Sequence, residues 1–311
     1  MSDVAPSNVE YVVLDAGRNQ QWKPEDLAQL KDVDAILVWS VVVTEEVLAA
    51  AENVKIVQRT GVGYDVLHPI LDAAAKRGIP CCNVAGSNKE AVGEHGMLFI
   101  LALARQLAEN HKATSAAQWP RQLKGEIYAF ELVGKTLGIV GLGNTGVELA
   151  KRAKVFGMRI VYNDIRTIDP EIVSSLDATF AEKEELFATS DVVSINTDLN
   201  DTSRNMVDAK RIGLMKPRAF LICCARGGIV DQVALRDALN HDRIAGAGMD
   251  VFAPEPIQPD NPLLGAKNTI LTPHIAGVTR ESMNRSYEWA HENVRRVVER
   301  DLQPHWVVNG L

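Results

Sequence analysis

Aromatic residues make up only 5% of the 311-residue chain, and there are four cysteines. So few flat rings leave little material for the base-stacking surface that holds single-stranded nucleic acid. The positive charge such a surface needs is also short. Asp and Glu number 40 against 33 Lys and Arg, and the net charge of -7 disfavours nucleic acid and anionic membranes as partners. No long hydrophobic run is present either. The strongest, Met97 to Ala104, stops at Arg105, far below the roughly 20 residues a spanning helix takes. The segment from Met1 to Gly17 lacks a basic stretch followed by an apolar core, so no secretory signal is read there. The cysteines form two adjacent pairs, Cys81-Cys82 and Cys223-Cys224, each inside a strand-like run. Neighbours on a strand point to opposite faces and neither pair has CxxC spacing, so the reading is buried free thiols in a reducing cytoplasm. Without clustered ligand spacing, no metal site is expected.

What is present is ordinary globular material, 46% hydrophobic and 23% charged, and long enough for two domains. Short Val/Ile/Leu runs alternate with helix-period segments from end to end, the pattern of parallel sheets with crossover helices. The first series of strands is Tyr11–Leu14, Ala35–Trp39, Lys55–Gln58 and Pro80–Val84, with helices over Pro24–Leu30, Glu45–Ala51 and His68–Lys76. A second series runs through Thr136–Val140, Arg159–Asn163, Val192–Ile195, Ala219–Cys224, Gly246–Val251 and Thr269–Thr272. Helices lie between these at Thr145–Phe156, Lys183–Ala188, Asp208–Leu214 and Gln232–Leu239. A long helix, Lys89–Leu107, leads from one lobe to the other, and Glu281–Arg300 carries the chain back. The fold class expected is α/β, with two doubly wound parallel-sheet domains.

In the second series, Gly141-Leu142-Gly143-Asn144-Thr145-Gly146 has a strand before it and a helix starting inside it, and the next strand ends at Asp164. A lone GxGxxG is weak; this context is the dinucleotide fingerprint of a Rossmann-like domain. Gly141 permits the turn, Gly143 lets backbone approach a pyrophosphate, and Gly146 lets helix and strand pack closely. The amides at the helix start then face phosphate. Asp164 is the expected acceptor for the ribose hydroxyls, which favours NAD over NADP. Arg166 counts the other way, as a residue able to accept a 2′-phosphate.

Three further strands deliver chemistry to one edge. Arg226 follows AFLICCA, a planar fork suited to a carboxylate and an adjacent carbonyl. Asp250 and Glu255 follow the next strand and His274 the last, with Glu255 between two prolines and His274 after Pro273. Ligands bind beyond the carboxyl ends of parallel strands. A surface loop without a catalytic pair is the bland alternative. His95, in GEHG, reads as packing at the start of an apolar helix.

The runs GLGNTG, CARGGIVD, DVFAPEP and LTPHIAG, with RTGVGYD and SNKEAVGEHG before them, resemble the D-isomer-specific 2-hydroxyacid dehydrogenases over nearly the whole chain. The resemblance implies two Rossmann-like lobes with a cleft between them and a homodimer. It assigns residues 1–100 and 281–311 to a flavodoxin-like substrate domain and 101–280 to the dinucleotide domain. Carried over, Arg226 binds the substrate carboxylate and carbonyl, His274 is the acid/base and Glu255 its partner. On the cofactor side it adds Ala225, Asp250, His274 and Gly277 to Gly141–Gly146. On the substrate side it adds Arg59, Gly61, Val62 and Gly63, with Arg226 and His274. The chemistry agrees with these roles. Removing the hydroxyl proton of a secondary alcohol takes a base that titrates near neutrality, and a carboxylate beside the imidazole favours the proton-donating form for the reverse reaction.

Arg59 resembles the arginine of the phosphoglycerate dehydrogenase branch, which implies a small anionic 2-hydroxy or 2-oxo acid, 3-phosphoglycerate or a hydroxypyruvate or glyoxylate type; with no regulatory domain read after Leu311, a short, single-unit member is expected. Asn196, Asp198 and Tyr64 depart from the usual pattern. Two other readings stay open: a relative acting on formate or phosphite, and an NAD(H)-sensing protein like the co-repressors that share this fold.

Overall fold

The computed structural model describes residues 9–14, 22–119 and 129–311. The chain divides into two compact units, Met1–Asn88 with Thr279–Leu311, and Lys89–Val278. The first stretch ends at Asn88 rather than at residue 100, because the helix Lys89–Ala104 packs chiefly on the helix Asn144–Val155 of the second unit. Its Gly93 and Gly96 lie against Glu148 and Leu149 of the helix Asn144–Val155. Phe99, 1% exposed, sits in the core beneath the sheet; truncating such a ring to Ala costs about 3–5 kcal/mol.

Among the described residues the first unit has three parallel strands, β1 (Ala35–Val38), β2 (Ile56–Arg59) and β3 (Cys81–Cys82), in the order β1-β2-β3. The expected strand Tyr11–Leu14 carries no strand pairing, and Val13 is 85% exposed. Apolar propensity alone does not make a strand where no described segment supplies the ladder. The helix Arg280–Val298 closes this unit. It starts at a capping box in which Thr279 and Ser282 satisfy each other's backbone.

The second unit holds a seven-stranded parallel sheet among the described residues: β4 (Thr136–Val140), β5 (Arg159–Asn163), β6 (Ala178–Phe180), β7 (Val192–Ile195), β8 (Phe220–Cys223), β9 (Gly246–Met249) and β10 (Thr269–Leu271). Their order is β10-β9-β8-β7-β4-β5-β6. Period-two alternation buries both faces. In β8, Leu221 and Cys223 enter one core cluster while Phe220 and Ile222 enter the other. Chain order reverses between β4 and β7, and that switch point is where such sheets bind ligands.

Two features of this unit differ from expectation. The apolar segment Lys89–Leu107 breaks into Lys89–Ala104 and Leu107–Ser115, with Gln106 in the left-handed region at φ 49°. The helix Pro170–Leu176 and the edge strand β6 were not foreseen, although Asp169 caps the helix and Pro170 occupies its first turn. No helix among the described residues is long and apolar enough to cross a membrane.

Candidate active site

β4 runs into Gly141, whose φ of 95° favours glycine and where a Cβ would lie 2.8 Å from the Asn196 carbonyl carbon. The helix Asn144–Val155 follows with Gly143 as a cap that lends no side chain. The Val147 N–H reaches Gly143 O at 2.9 Å, so the amides of Asn144, Thr145 and Gly146 in the first turn have no intrahelical acceptor. Those amides and the positive end of the helix dipole fit a pyrophosphate.

Leu142 and Asp164 are bonded to each other. The Leu142 N–H donates to Asp164 Oδ2 at 2.9 Å, so it is not offered to phosphate. Asp164 also accepts from the Arg166 backbone N–H at 2.9 Å, its Nε at 3.1 Å and its Nη2 at 3.0 Å. Burial pushes the Asp164 carboxyl up, but these bonds and the Arg166 charge outweigh it and hold it below its ordinary range. The expected ribose acceptor is thus filled from its own chain. A ribose hydroxyl would have to displace Arg166 to reach it, and that side chain is 63% exposed. Asp198 adds a second negative charge acting on Arg166.

At the other end of the strand order, β8, β9 and β10 bring the remaining groups together. Arg226 stands just beyond β8, with Nη1 donating to Ala225 O at 2.7 Å. Gly227 lets this turn meet the chain leading to Glu255: a Cβ there would sit 2.0 Å from the Phe252 carbonyl carbon. The peptide bonds Ala253-Pro254 and Glu255-Pro256 are both cis. Glu255 Oε1 accepts from the Phe252 N–H at 2.9 Å, and Oε2 lies 2.6 Å from His274 Nδ1. Burial pushes the Glu255 carboxyl up. The His274 hydrogen bond, the Phe252 amide and the charges of His274 and Arg226 more than offset it, so its pKa lies below the ordinary value. An ionised carboxylate only accepts, so Nδ1 of His274 carries the hydrogen and Nε2 is left for chemistry.

His274 itself has φ 55°, in the left-handed region, a conformation costing a non-glycine residue on the order of 1–3 kcal/mol. Asp250 holds it there. The His274 N–H donates to Asp250 O at 2.7 Å, Ile275 N–H to Oδ1 at 2.9 Å and Ala276 N–H to Oδ2 at 2.8 Å. The Thr272 hydroxyl bonds Oδ1 at 2.6 Å. Asp250 is completely buried. Its carboxylate oxygens are taken by the two loop amides and the Thr272 hydroxyl, so it acts on the site through the loop. Gly277 lies in the turn that ends this loop, closed by Val278 N–H to Ile275 O at 2.9 Å.

In the first unit, Arg59 ends β2 and turns back on its own loop. Nε donates to Gly63 O and Nη1 to Val38 O, each at 3.1 Å. Val62 O accepts from Asn83 Nδ2 at 2.7 Å, and Gly61 O from the Val84 N–H at 3.4 Å. Arg59, expected to hold a substrate anion, thus also braces the Gly61–Gly63 turn.

Sequence reasoning missed Arg166 as the partner of Asp164 and His95 as a bonded residue; the two-residue offset of Arg166 was the available signal. All four cysteines are free, and burial pushes Cys81 and Cys82 up to about 12.

A sheet that reverses order at a glycine-rich turn, with a proton-carrying pair at the same carboxyl edge, defines a dinucleotide-dependent oxidoreductase scaffold. Comparison with known proteins agrees. Residues 97–276 match the model described as "D-isomer specific 2-hydroxyacid dehydrogenase, NAD binding domain". A glyoxylate reductase of Thermofilum pendens is 38% identical over 92% of this chain and 85% of its own. A D-3-phosphoglycerate dehydrogenase of Methanocaldococcus jannaschii is 36% identical over 92% of this chain but 54% of its own, so the present chain spans about half of that relative. The crystal structure of D-lactate dehydrogenase from Aquifex aeolicus, complexed with NAD and lactic acid, matches with a TM-score of 0.79 at 29% identity, covering 88% of this chain and 86% of that one. The chain belongs to the D-isomer specific 2-hydroxyacid dehydrogenase family.

Proposed function

We propose that the protein interconverts a small D-2-hydroxy acid and its 2-oxo acid with NAD, using His274 as acid/base. The observation that carries this is the 2.6 Å contact between His274 Nδ1 and Glu255, at an edge where the Arg226 charge is also felt. Bound NAD(H) supplies the hydride acceptor or donor for substrate C2. In reduction, protonated His274 donates its Nε2 proton to the carbonyl oxygen while Glu255 keeps Nδ1 engaged and balances the imidazolium. In oxidation the neutral ring takes the hydroxyl proton through Nε2. Arg226 holds the substrate carboxylate and polarises the carbonyl.

The second unit serves as the dinucleotide domain, with Asn144, Thr145, Gly146, Ala225 and Gly277 along the cofactor, and the first unit as the substrate domain. NAD is favoured over NADP because Arg166 is engaged by Asp164 and lies in the field of Asp198. A 2′-phosphate would have to break that pair and approach two carboxylates. Arg59 is engaged with backbone carbonyls, which favours a short 2-oxo acid such as glyoxylate or hydroxypyruvate over 3-phosphoglycerate. The reading includes a homodimer, checked by light scattering, and a cytoplasmic location in keeping with four free thiols.

The test follows NADH absorbance with glyoxylate, hydroxypyruvate, 2-oxoglutarate, phenylpyruvate and 3-phosphohydroxypyruvate. Turnover is expected with the short acids, and His274→Ala should lower kcat by about 10²–10⁴-fold while NADH binding persists. Tight NADH binding with no turnover across the panel would overturn the enzyme reading in favour of a nucleotide sensor.

A further inference from the structure

We propose that His95 is a positioning residue for His274, holding the His274 loop through Thr272 and Asp250. The proposal rests on the reading of His274 as the acid/base. His95 lies on the helix Lys89–Ala104, which carries no other group of the site, and its side chain is 12% exposed. Its Nε2 is 3.0 Å from Thr272 Oγ1, which is 2.6 Å from Asp250 Oδ1.

Counting hydrogens gives this chain a direction. The Asp250 carboxylate takes the Ile275 amide on one oxygen and the Ala276 amide on the other, so it acts as an acceptor. The single Thr272 hydroxyl hydrogen must then point at Asp250, which leaves Oγ1 to accept, and its donor is His95 Nε2–H. Burial pulls the His95 imidazole below its ordinary value against the opposing pull of Asp250. A neutral ring has one N–H, and this geometry places it on Nε2.

The ring is fixed from behind. It stands edge-on to Phe99 at 4.6 Å, and its helix packs on the helix Asn144–Val155 that starts at the glycine turn. His95 therefore couples a rigid helix to the carboxylate that fixes the amides following His274. A histidine present only to fill space would need no donor at Nε2. Without that donor, Thr272 can rotate away, and Asp250 Oδ1 keeps only the Ile275 amide. The loop then loses part of what holds His274 at positive φ.

Two substitutions separate donor from volume: His95→Phe keeps a buried ring without the N–H, and His95→Gln restores a donor without the ring. Hydrogen–deuterium exchange of residues 272–278 should be about tenfold faster in His95→Phe and within about twofold of the parent in His95→Gln, with β4 and β5 unchanged in both. With glyoxylate, kcat should follow the same order, falling about tenfold in His95→Phe, while the KM for NADH is unchanged. Unaltered exchange in His95→Phe, or His95→Gln behaving no better than His95→Phe, overturns the proposal. Faster exchange with an unchanged kcat also overturns it. If instead His274→Ala retained full turnover, the acid/base reading would fall, while the exchange measurement would still report the hold of His95 on the loop.

Discussion

Asp164 and Asp250 occupy corresponding places in one sheet, just past the carboxyl ends of β5 and β9, and each accepts backbone amides from a loop of the site. What else they hold separates them. Asp164 is tied to a guanidinium whose side chain is 63% exposed, while Asp250 is fully buried among two amides and a hydroxyl. The Asp164 side chain is itself only 4% exposed, but the arm that pairs with it reaches solvent and can swing away. A buried carboxylate filled by neutral donors is expensive to disturb, since each orphaned group costs about 1–3 kcal/mol. The same residue type thus serves as a replaceable contact at one strand end and as a fixed strut at another.

The comparison breaks most visibly at the strut. Asp250→Ala should lower kcat by about a hundredfold and stability by about 2–4 kcal/mol, because two amides and a hydroxyl lose their acceptor together; glyoxylate kinetics and urea unfolding measure both. An effect no larger than that of Asp164→Ala would remove the distinction. At the replaceable contact, Asp164→Ala orphans only the Leu142 amide and should cost about 1–2 kcal/mol, less than Asp250→Ala, while raising the NADPH/NADH ratio of kcat/KM about tenfold. Adding Arg166→Ala should cancel that gain, and if it does not, Arg166 is not the phosphate ligand.

Glu255 is the intermediate case, bonded to one amide and one imidazole, and its pKa lies below the ordinary 4.5. The stabilisation due to its ionised form is full above the ordinary value and is lost as pH falls through the lower, folded one. The stability gap between the parent and Glu255→Gln should therefore stay constant from pH 7 to about 5 and narrow only in more acidic urea titrations. The smallest effect belongs to Arg59→Lys, where about a twofold rise in the KM for glyoxylate is expected because the Gly63 and Val38 carbonyls lose a planar donor. A hundredfold rise would return Arg59 to the role of direct substrate ligand.

The second unit was legible because its signals are local and repeated: apolar runs of strand length, a glycine turn between strand and helix, and Arg226, Glu255 and His274 placed after successive strands. β6 escaped because Ala178-Thr179-Phe180 is a short, half-exposed edge with no apolar run. Tyr11–Leu14 misled for the opposite reason, having strand composition without a pairing partner among the described residues. The states of Asp164, Asp250 and Arg59 were not readable at all. Sequence spacing shows which residues stand at a strand end, but not which neighbouring amide or guanidinium has already filled them. His95 escaped likewise, since its partner Thr272 lies 177 positions away.

The second unit is one uninterrupted stretch, Lys89–Val278, whereas the first is assembled from the two flanks. His95, the glycine turn, Arg226, Asp250, Glu255 and His274 all travel within that insert. Recombination between relatives at residues 88 and 278 would therefore exchange the flanks as a pair and leave the glycine turn and the Glu255–His274 pair on one piece of chain. Such an exchange would change everything around that segment at two junctions while every side chain of the proposed nucleotide and acid/base site stays in one continuous stretch.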